Sequence, residues 1–171
     1  MLTLYLLRHA KSNWNSFDGN DFNRDINEIG IKRTEAIGNY IHERKLDINE
    51  ILLSPSLRTK RTSEIIFKYL EPIPSFKYID ELYYSSSLGI YEITKMFAQK
   101  KRVMIISHEP KLSQSIHDFS ADYKNNFFQK SQEKFPTSGL FYLEFNTDNW
   151  NDISRFNSKI MGFVTPNDIN Y

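Results

Sequence analysis

Cysteine is absent from this 171-residue chain, which excludes disulfide staples, cysteine nucleophiles and thiolate metal sites together. An excess of charge of one sign is lacking too. Lys and Arg number 22 against 21 Asp and Glu, for a formal net charge of +1. No global basic field therefore argues for a nucleic acid or an anionic membrane as partner. No apolar run approaches the roughly 20 residues that span a bilayer. The opening MLTLYLLRHAKSNW has no basic start and no small-residue cleavage site, and its short apolar run ends in Arg-His, so it is not read as a secretory signal. The expectation is a soluble, cytoplasmic protein.

What is present is an ordinary globular balance, 40% hydrophobic and 25% charged, with length enough for one compact domain spanning residues 1–171. No internal repeat, low-complexity tract or linker interrupts it. Leu2 to Leu7 is too short for a helix and reads as a strand buried on both faces. Asn27 is an N-cap, followed by Ile29, Arg33, Ala36, Ile37, Tyr40 and Ile41 at helical period. Ile51 to Leu53 is the next apolar fragment. Ser54-Pro55 then reads as an N-cap with proline in the first turn of a helix running to about Leu70.

Pro72 and Pro74 break that helix, and Phe76 to Ile79 is a candidate strand. Serines 85 to 87 precede a helix carrying Leu88, Ile90, Ile93, Met96 and Phe97. Val103 to Ile106 is the clearest strand and ends at Ser107-His108. Pro110 marks a further helix with Leu112, Ile116 and Phe119. Residues 121–136 are polar with scattered aromatics and no clear period, which predicts a loop. Leu140–Phe145 and Ile153–Phe156, flanking a Thr-Asp-Asn turn, predict a terminal hairpin. Strands alternating with helices imply a layered α/β fold with a mostly parallel sheet.

Three of these strands end in groups that carry chemistry: Arg8-His9, Ser54-Pro55-Ser56-Leu57-Arg58, and Ser107-His108. Ligands of open α/β sheets bind beyond the carboxyl ends of the strands, so groups remote in sequence converge there. Helix N-termini opening at two of these turns favour an anion. Two arginines, two histidines and helix N-termini describe a phosphate site, because phosphoryl transfer needs fixed donors around three equatorial oxygens. A neutral imidazole is a competent nucleophile if its other N–H is held by an acceptor such as a backbone carbonyl.

Leu7-Arg8-His9-Ala10-Lys11-Ser12, Ser54-Pro55-Ser56-Leu57-Arg58-Thr59, Ile106-Ser107-His108-Glu109-Pro110 and the strand after Pro136-Thr137-Ser138-Gly139 occur in the order found in the histidine phosphatase superfamily, the phosphoglycerate mutase-like proteins. The chain resembles that family over nearly its whole length. Its size, the RHAKSNW opening and Arg24-Asp25-Ile26-Asn27-Glu28-Ile29-Gly30 are similar to the compact SixA-type branch, with Asp25 and Ile26 replacing the usual Pro and Leu.

The resemblance implies a three-layer α/β/α sandwich and a phosphoryl acceptor at His9. It implies phosphoryl-oxygen ligands at Arg8, Arg58 and His108, joined by Arg24, and neither a metal nor an organic cofactor. It also implies a phosphohistidine-bearing protein as substrate, which fits the shallow, open pocket expected of so short a chain.

Bland readings stand beside these. Arg61 is the rival of Arg58, Arg24 could be an exposed loop charge, and Lys11 is either a pocket cation or a solvated lysine. His42 and His117 earn no role, and the aromatic residues read as core and rim packing rather than a base-stacking surface. For a general acid, Glu81 is the best positional match, with Asp80 and Glu109 as alternatives. An imidazole leaves more readily than an alkoxide, so a site without Glu81 should prefer phosphoramidates to alkyl esters. The rival functions are a small-molecule phosphomonoesterase with the same residues, a non-catalytic phosphate-recognition module, and a binding protein acting through residues 121–136.

Overall fold

A computed structural model describes residues 1–169. Its elements run β1 (Leu2–Arg8), α1 (Glu28–Glu43), β2 (Glu50–Leu53), α2 (Leu57–Phe67), β3 (Ser75–Tyr78), α3 (Ile90–Phe97), β4 (Arg102–Ser107), α4 (Lys111–Phe119), α5 (Asn126–Glu133), β5 (Leu140–Phe145) and β6 (Ser158–Val164). The six strands form one sheet in the order β3-β2-β4-β1-β5-β6. β1 to β4 are mutually parallel, β5 runs antiparallel to β1, and β6 pairs antiparallel with β5 at that side, so that β5 alone is reversed among the six.

Both faces of the sheet are covered, which is why its central strands are apolar without interruption rather than alternating. Leu2, Leu4 and Leu6 of β1 and Val103 and Ile105 of β4 point to one face. There they meet Ile93 of α3, Ile116 of α4 and Phe128 of α5. Tyr5, Leu7, Met104 and Ile106 point to the other, against Ile37 and Ile41 of α1 and Ile66 of α2. The fold is the expected α/β/α sandwich.

This layering fixes the place of the site. β1 and β4 are neighbours, yet β1 leads to α1 on one face while β4 leads to α4 on the other. A crevice opens where adjacent connections diverge in this way. Register then sets its depth, since Arg8 pairs with Ser107 and Leu53 with Ile106. His9, His108 and Ser54 accordingly leave the sheet at one level.

Several local expectations are corrected. Residues 121–136 hold α5, capped by the Asn125 side chain on Phe127 and Phe128. Two buried positions, Phe128 and Ser131, are too few for its eight residues to show a period. The second hairpin strand is β6, Ser158–Val164, rather than 153–156. Ile153 is buried, but Phe156 stands in solvent, and a 3-10 turn at Trp150–Asp152 lies in the connection.

α2 begins at Leu57 behind Ser56 and ends at Phe67, so Ser54 is not its cap. Gly89, not the serines, caps α3. In α1, Ile29 is exposed and the packed face includes Gly30, Thr34 and Gly38. Small residues there let the helix approach its neighbours, and a hydrophobicity pattern does not register them.

Candidate active site

Arg8 is the last residue of β1 and His9 follows it directly. The segment is locked from three sides: His9 N–H donates to Ser107 O at 3.1 Å, Ser138 N–H donates to the carbonyls of Arg8 and His9, and Ala10 N–H donates to Thr62 Oγ1 at 2.8 Å. Thr62 belongs to α2 and also bonds Arg58 O at 2.7 Å. The turn carrying His9 and the helix carrying Arg58 are thereby tied together. Ser138 sits in the left-handed region at φ 59°, a conformation the surrounding hydrogen bonds must hold in place.

His9 is buried, and its Nδ1 lies 2.8 Å from Ala10 O. A carbonyl only accepts, so Nδ1 carries the proton and the lone pair of a neutral ring resides on Nε2. Burial pushes the His9 pKa down to about 3, helped by the charges of Arg58 and Arg8, against the pull of the Ala10 hydrogen bond. The ring is neutral at physiological pH. His108 lies beside it, ring centroids 5.1 Å apart, with Nε2 2.7 Å from Ser54 Oγ. Burial and then Arg58 depress its pKa to about 3 as well.

Arg8 donates through Nη1 to Phe135 O at 2.8 Å, and burial with the nearby Arg58 lowers its pKa. Arg58 is fixed by Asp21, through Nη1 to the backbone carbonyl at 2.9 Å and Nη2 to the carboxylate at 3.2 Å. Arg24 reaches the same carboxylate at 3.0 Å, Asn13 O at 2.8 Å and Ser12 Oγ at 2.9 Å. Tyr83 donates its hydroxyl to Asp21 at 2.8 Å. Burial alone would raise the Asp21 pKa, but Tyr83, Arg24 and Arg58 outweigh it and hold it at about 2.

Four buried side-chain nitrogens lack a hydrogen-bond partner among the described residues, and three of them are Arg8 Nε, Arg58 Nε and His108 Nδ1. Unmet buried donors are costly, so their concentration in one place is informative. A cleft of about 420 Å³ brings Arg8, His9, Lys11, Ser12, Trp14, Arg24, Arg58, His108, Glu109 and Thr137 together. A second cleft, about 490 Å³, adjoins it through Arg58, His108 and Glu109.

Arg8, His9, Arg24, Arg58 and His108 thus meet at one place, with Lys11 exposed at the rim. Arg61 instead pairs with Asp25 and Glu64. Glu81 lines neither cleft; it lies in the 3-10 turn Asp80–Leu82, and its backbone carbonyl accepts from Lys111 Nζ at 2.7 Å. Asp80 lines neither cleft, whereas Glu109 lines both. Among the described residues no group of three His, Asp or Glu is placed to hold a metal ion, and no helix is long and apolar enough to cross a membrane.

Sequence reading missed Asp21, Ser54 as the partner of His108, and Tyr83. Asp21 precedes Arg24 by three residues, a spacing too common to stand out. Nothing in the sequence signals that Tyr83 meets Asp21 across 62 positions.

An α/β/α sandwich with paired imidazoles and arginines at its topological switch point defines a phosphoryl-handling protein of the phosphoglycerate mutase-like fold. The model of the histidine phosphatase superfamily (branch 1) matches residues 4–100, and the chain belongs to that family. The structure is similar to a candidate phosphohistidine phosphatase, SixA, from Agrobacterium tumefaciens, with a TM-score of 0.79 and 26% identity over 96% of this chain and 97% of the other. A counterpart of the same description from Nakamurella multipartitia matches with a TM-score of 0.78 and 20% identity over 96% of each chain. In sequence, the chain is 24% identical to an uncharacterized phosphatase, PhoE, of Bacillus subtilis, over 96% of this chain and all of the other. The activity these matches support is that of a phosphatase.

Proposed function

We propose that the protein removes phosphoryl groups through a covalent intermediate on His9, with phosphohistidine on a protein as its substrate. The observation that carries this reading is the His9 ring itself, neutral and with Nδ1–H committed to Ala10 O, so that Nε2 is the free nucleophile. Arg8 and Arg58 bring the positive charge that phosphoryl oxygens require, and Arg24 adds to it from the lining of the cleft. His108 supplies a donor from the same level of the sheet. Attack of Nε2 on phosphorus breaks the bond to the leaving group. Water then cleaves the His9–phosphorus bond, releasing inorganic phosphate and restoring the neutral ring.

The lining of the cleft supports this substrate class. Glu81 does not line it, and the carboxylate shared by both clefts, Glu109, accepts from Ser113 through both oxygens, the posture of an acceptor rather than of an acid aimed at an alkoxide. An imidazole leaves without such help. Likeness to the candidate SixA structure points the same way.

The test is phosphate release by wild type and His9→Ala from a phosphohistidine protein and from an aryl phosphate. Wild type should turn over the first faster, and His9→Ala should be inactive on both. Activity persisting without His9 overturns the nucleophile, and ester turnover equal to phosphohistidine turnover overturns the substrate class.

A further inference from the structure

The geometry points to the second cleft, beside Tyr83 and Tyr84, as the seat of the leaving group: a protonated imidazole ring lying against the tyrosines and donating its remote N–H to Glu109. This deepens the phosphohistidine reading above and rests on it. Asp21, Arg58, Leu82, Tyr83, Tyr84, His108, Glu109 and Lys111 are among the residues that surround this cleft, and His9 is not.

Direction is the first argument. In-line displacement puts the departing atom across phosphorus from the nucleophile. His9 lines only the first cleft, whereas Arg58 and His108 stand where the two clefts join. A phosphoryl group held at that junction, with His9 on one side, directs its leaving group into the second cleft.

The second argument is the wall. Tyr83 and Tyr84 meet edge to face at 5.0 Å, and Phe22 backs both, at 5.1 Å from Tyr83 and stacked on Tyr84 at 6.1 Å. The Tyr83 hydroxyl is anchored on Asp21. Such a wall offers ring faces to a flat, cationic heterocycle.

The third is the carboxylate. Two acidic side chains border the cleft, and Asp21 is already engaged by Arg24 on one oxygen and by Arg58 and Tyr83 on the other. Among the described residues Glu109 accepts only from Ser113, through N–H on Oε1 and through the hydroxyl on Oε2, each at 2.7 Å. Those bonds hold the carboxylate still and leave lone pairs for a further donor. Of the cations nearby, Arg58 is tied to Asp21, Lys111 to the Glu81 carbonyl and Arg8, which feels the Glu109 charge, to Phe135 O.

The chemistry gives the arrangement its use. A phosphoimidazole departs as neutral imidazole when its remote nitrogen already bears a proton. His9 Nε2 bonds to phosphorus, the scissile nitrogen takes the electron pair of the breaking N–P bond, and no proton moves. Glu109 favours that protonated form. An ester leaving group has no remote N–H and gains nothing from it.

The experiment measures kcat/KM of wild type, Glu109→Gln, Tyr84→Ala and, as an exposed aromatic that lines neither cleft, Phe156→Ala on N-phosphoimidazole, a phosphohistidine protein and 4-nitrophenyl phosphate. Glu109→Gln should lower the two phosphoimidazole values about tenfold or more and the nitrophenyl value less than about threefold, since only the former lose a hydrogen bond to a charged group. Tyr84→Ala should lower the two phosphoimidazole values about fivefold and the nitrophenyl value less. An equal fall on all substrates with Glu109→Gln, a fall on the protein substrate alone, or a loss with Phe156→Ala as large as that with Tyr84→Ala overturns the assignment.

Binding separates this from the parent reading. In a His9→Ala background, N-phosphoimidazole affinity measured by calorimetry should weaken about tenfold on adding Glu109→Gln. If wild type turns over no phosphoimidazole while binding in the His9→Ala background still weakens with Glu109→Gln, the seat stands and the covalent mechanism falls. Brisk His9-dependent turnover, with binding indifferent to Glu109, does the reverse.

Discussion

Asp21 and Arg58 are joined twice, the guanidinium donating to the Asp21 carbonyl at 2.9 Å and to its carboxylate at 3.2 Å. The same carboxylate carries Arg24 and Tyr83, so one acid sets the aim of two arginines and one wall of the cleft. Asp21→Ala should leave the fold intact and raise KM more than it lowers kcat, with kcat/KM falling about 10- to 100-fold through misplaced donors. Steady-state kinetics beside a circular dichroism melt would separate this from unfolding, and an unchanged KM would count against the positioning role.

The two buried histidines predict an acid-sensitive fold. Both have pKa values lowered from 6.5 to about 3, chiefly by burial. Between those limits the unfolded chain binds more protons than the folded one, so stability drops as pH falls from 6.5 toward 3 and is insensitive to these groups above 6.5. At pH 5 the loss is about 2 kcal/mol for each ring. Urea midpoints at pH 7 and pH 5 should differ accordingly, and less so in His108→Gln.

Oxyanions should stabilise the protein, because Arg8 Nε, Arg58 Nε and His108 Nδ1 are buried without partners. Inorganic phosphate or tungstate at a hundred times its dissociation constant should add about 2.7 kcal/mol, visible as a rise in Tm. Arg58→Ala should abolish most of that rise while leaving the melt without anion close to that of wild type.

Gly30 gives a test of opposite sign to its propensity. In an ordinary helix interior, Gly to Ala stabilises by about 1 kcal/mol. Here a Cβ would lie 2.2 Å from Lys11 O and 2.9 Å from Lys11 N, both backbone atoms two residues beyond His9. Overpacking costs about 1 to 3 kcal/mol, so Gly30→Ala should destabilise on balance and reduce activity by shifting residues 10–12. A higher Tm with full activity would contradict this.

Most of the layered fold was legible because buried parallel strands are written as short uninterrupted apolar runs, and Leu2–Leu7 and Val103–Ile106 are such runs. α5 was not, because its eight residues bury only Phe128 and Ser131. β6 was not either; with Gly162 and Lys159 interrupting it, a short apolar fragment at 153–156 looked the better strand. Within the site, Arg8, His9, Arg58 and His108 could be named because each follows a strand end. Glu81 was drawn from its nearness to a strand in sequence, but the 3-10 turn at Asp80–Leu82 leaves it off the lining of both clefts.

By itself the sequence singled out the groups that meet in the cleft, since Arg8, His9, Arg58 and His108 stand at or just beyond the ends of apolar strands. The tertiary structure alone decided how they work together. Pairing Arg8 with Ser107 brings the two histidines to one level, and Ala10 O places the His9 proton on Nδ1. Asp21 was an unremarked loop acid until the fold brought Arg24, Arg58 and Tyr83 to it. Hydrogen bonds and desolvation act through space, and a linear order of residues does not specify the distances on which both depend.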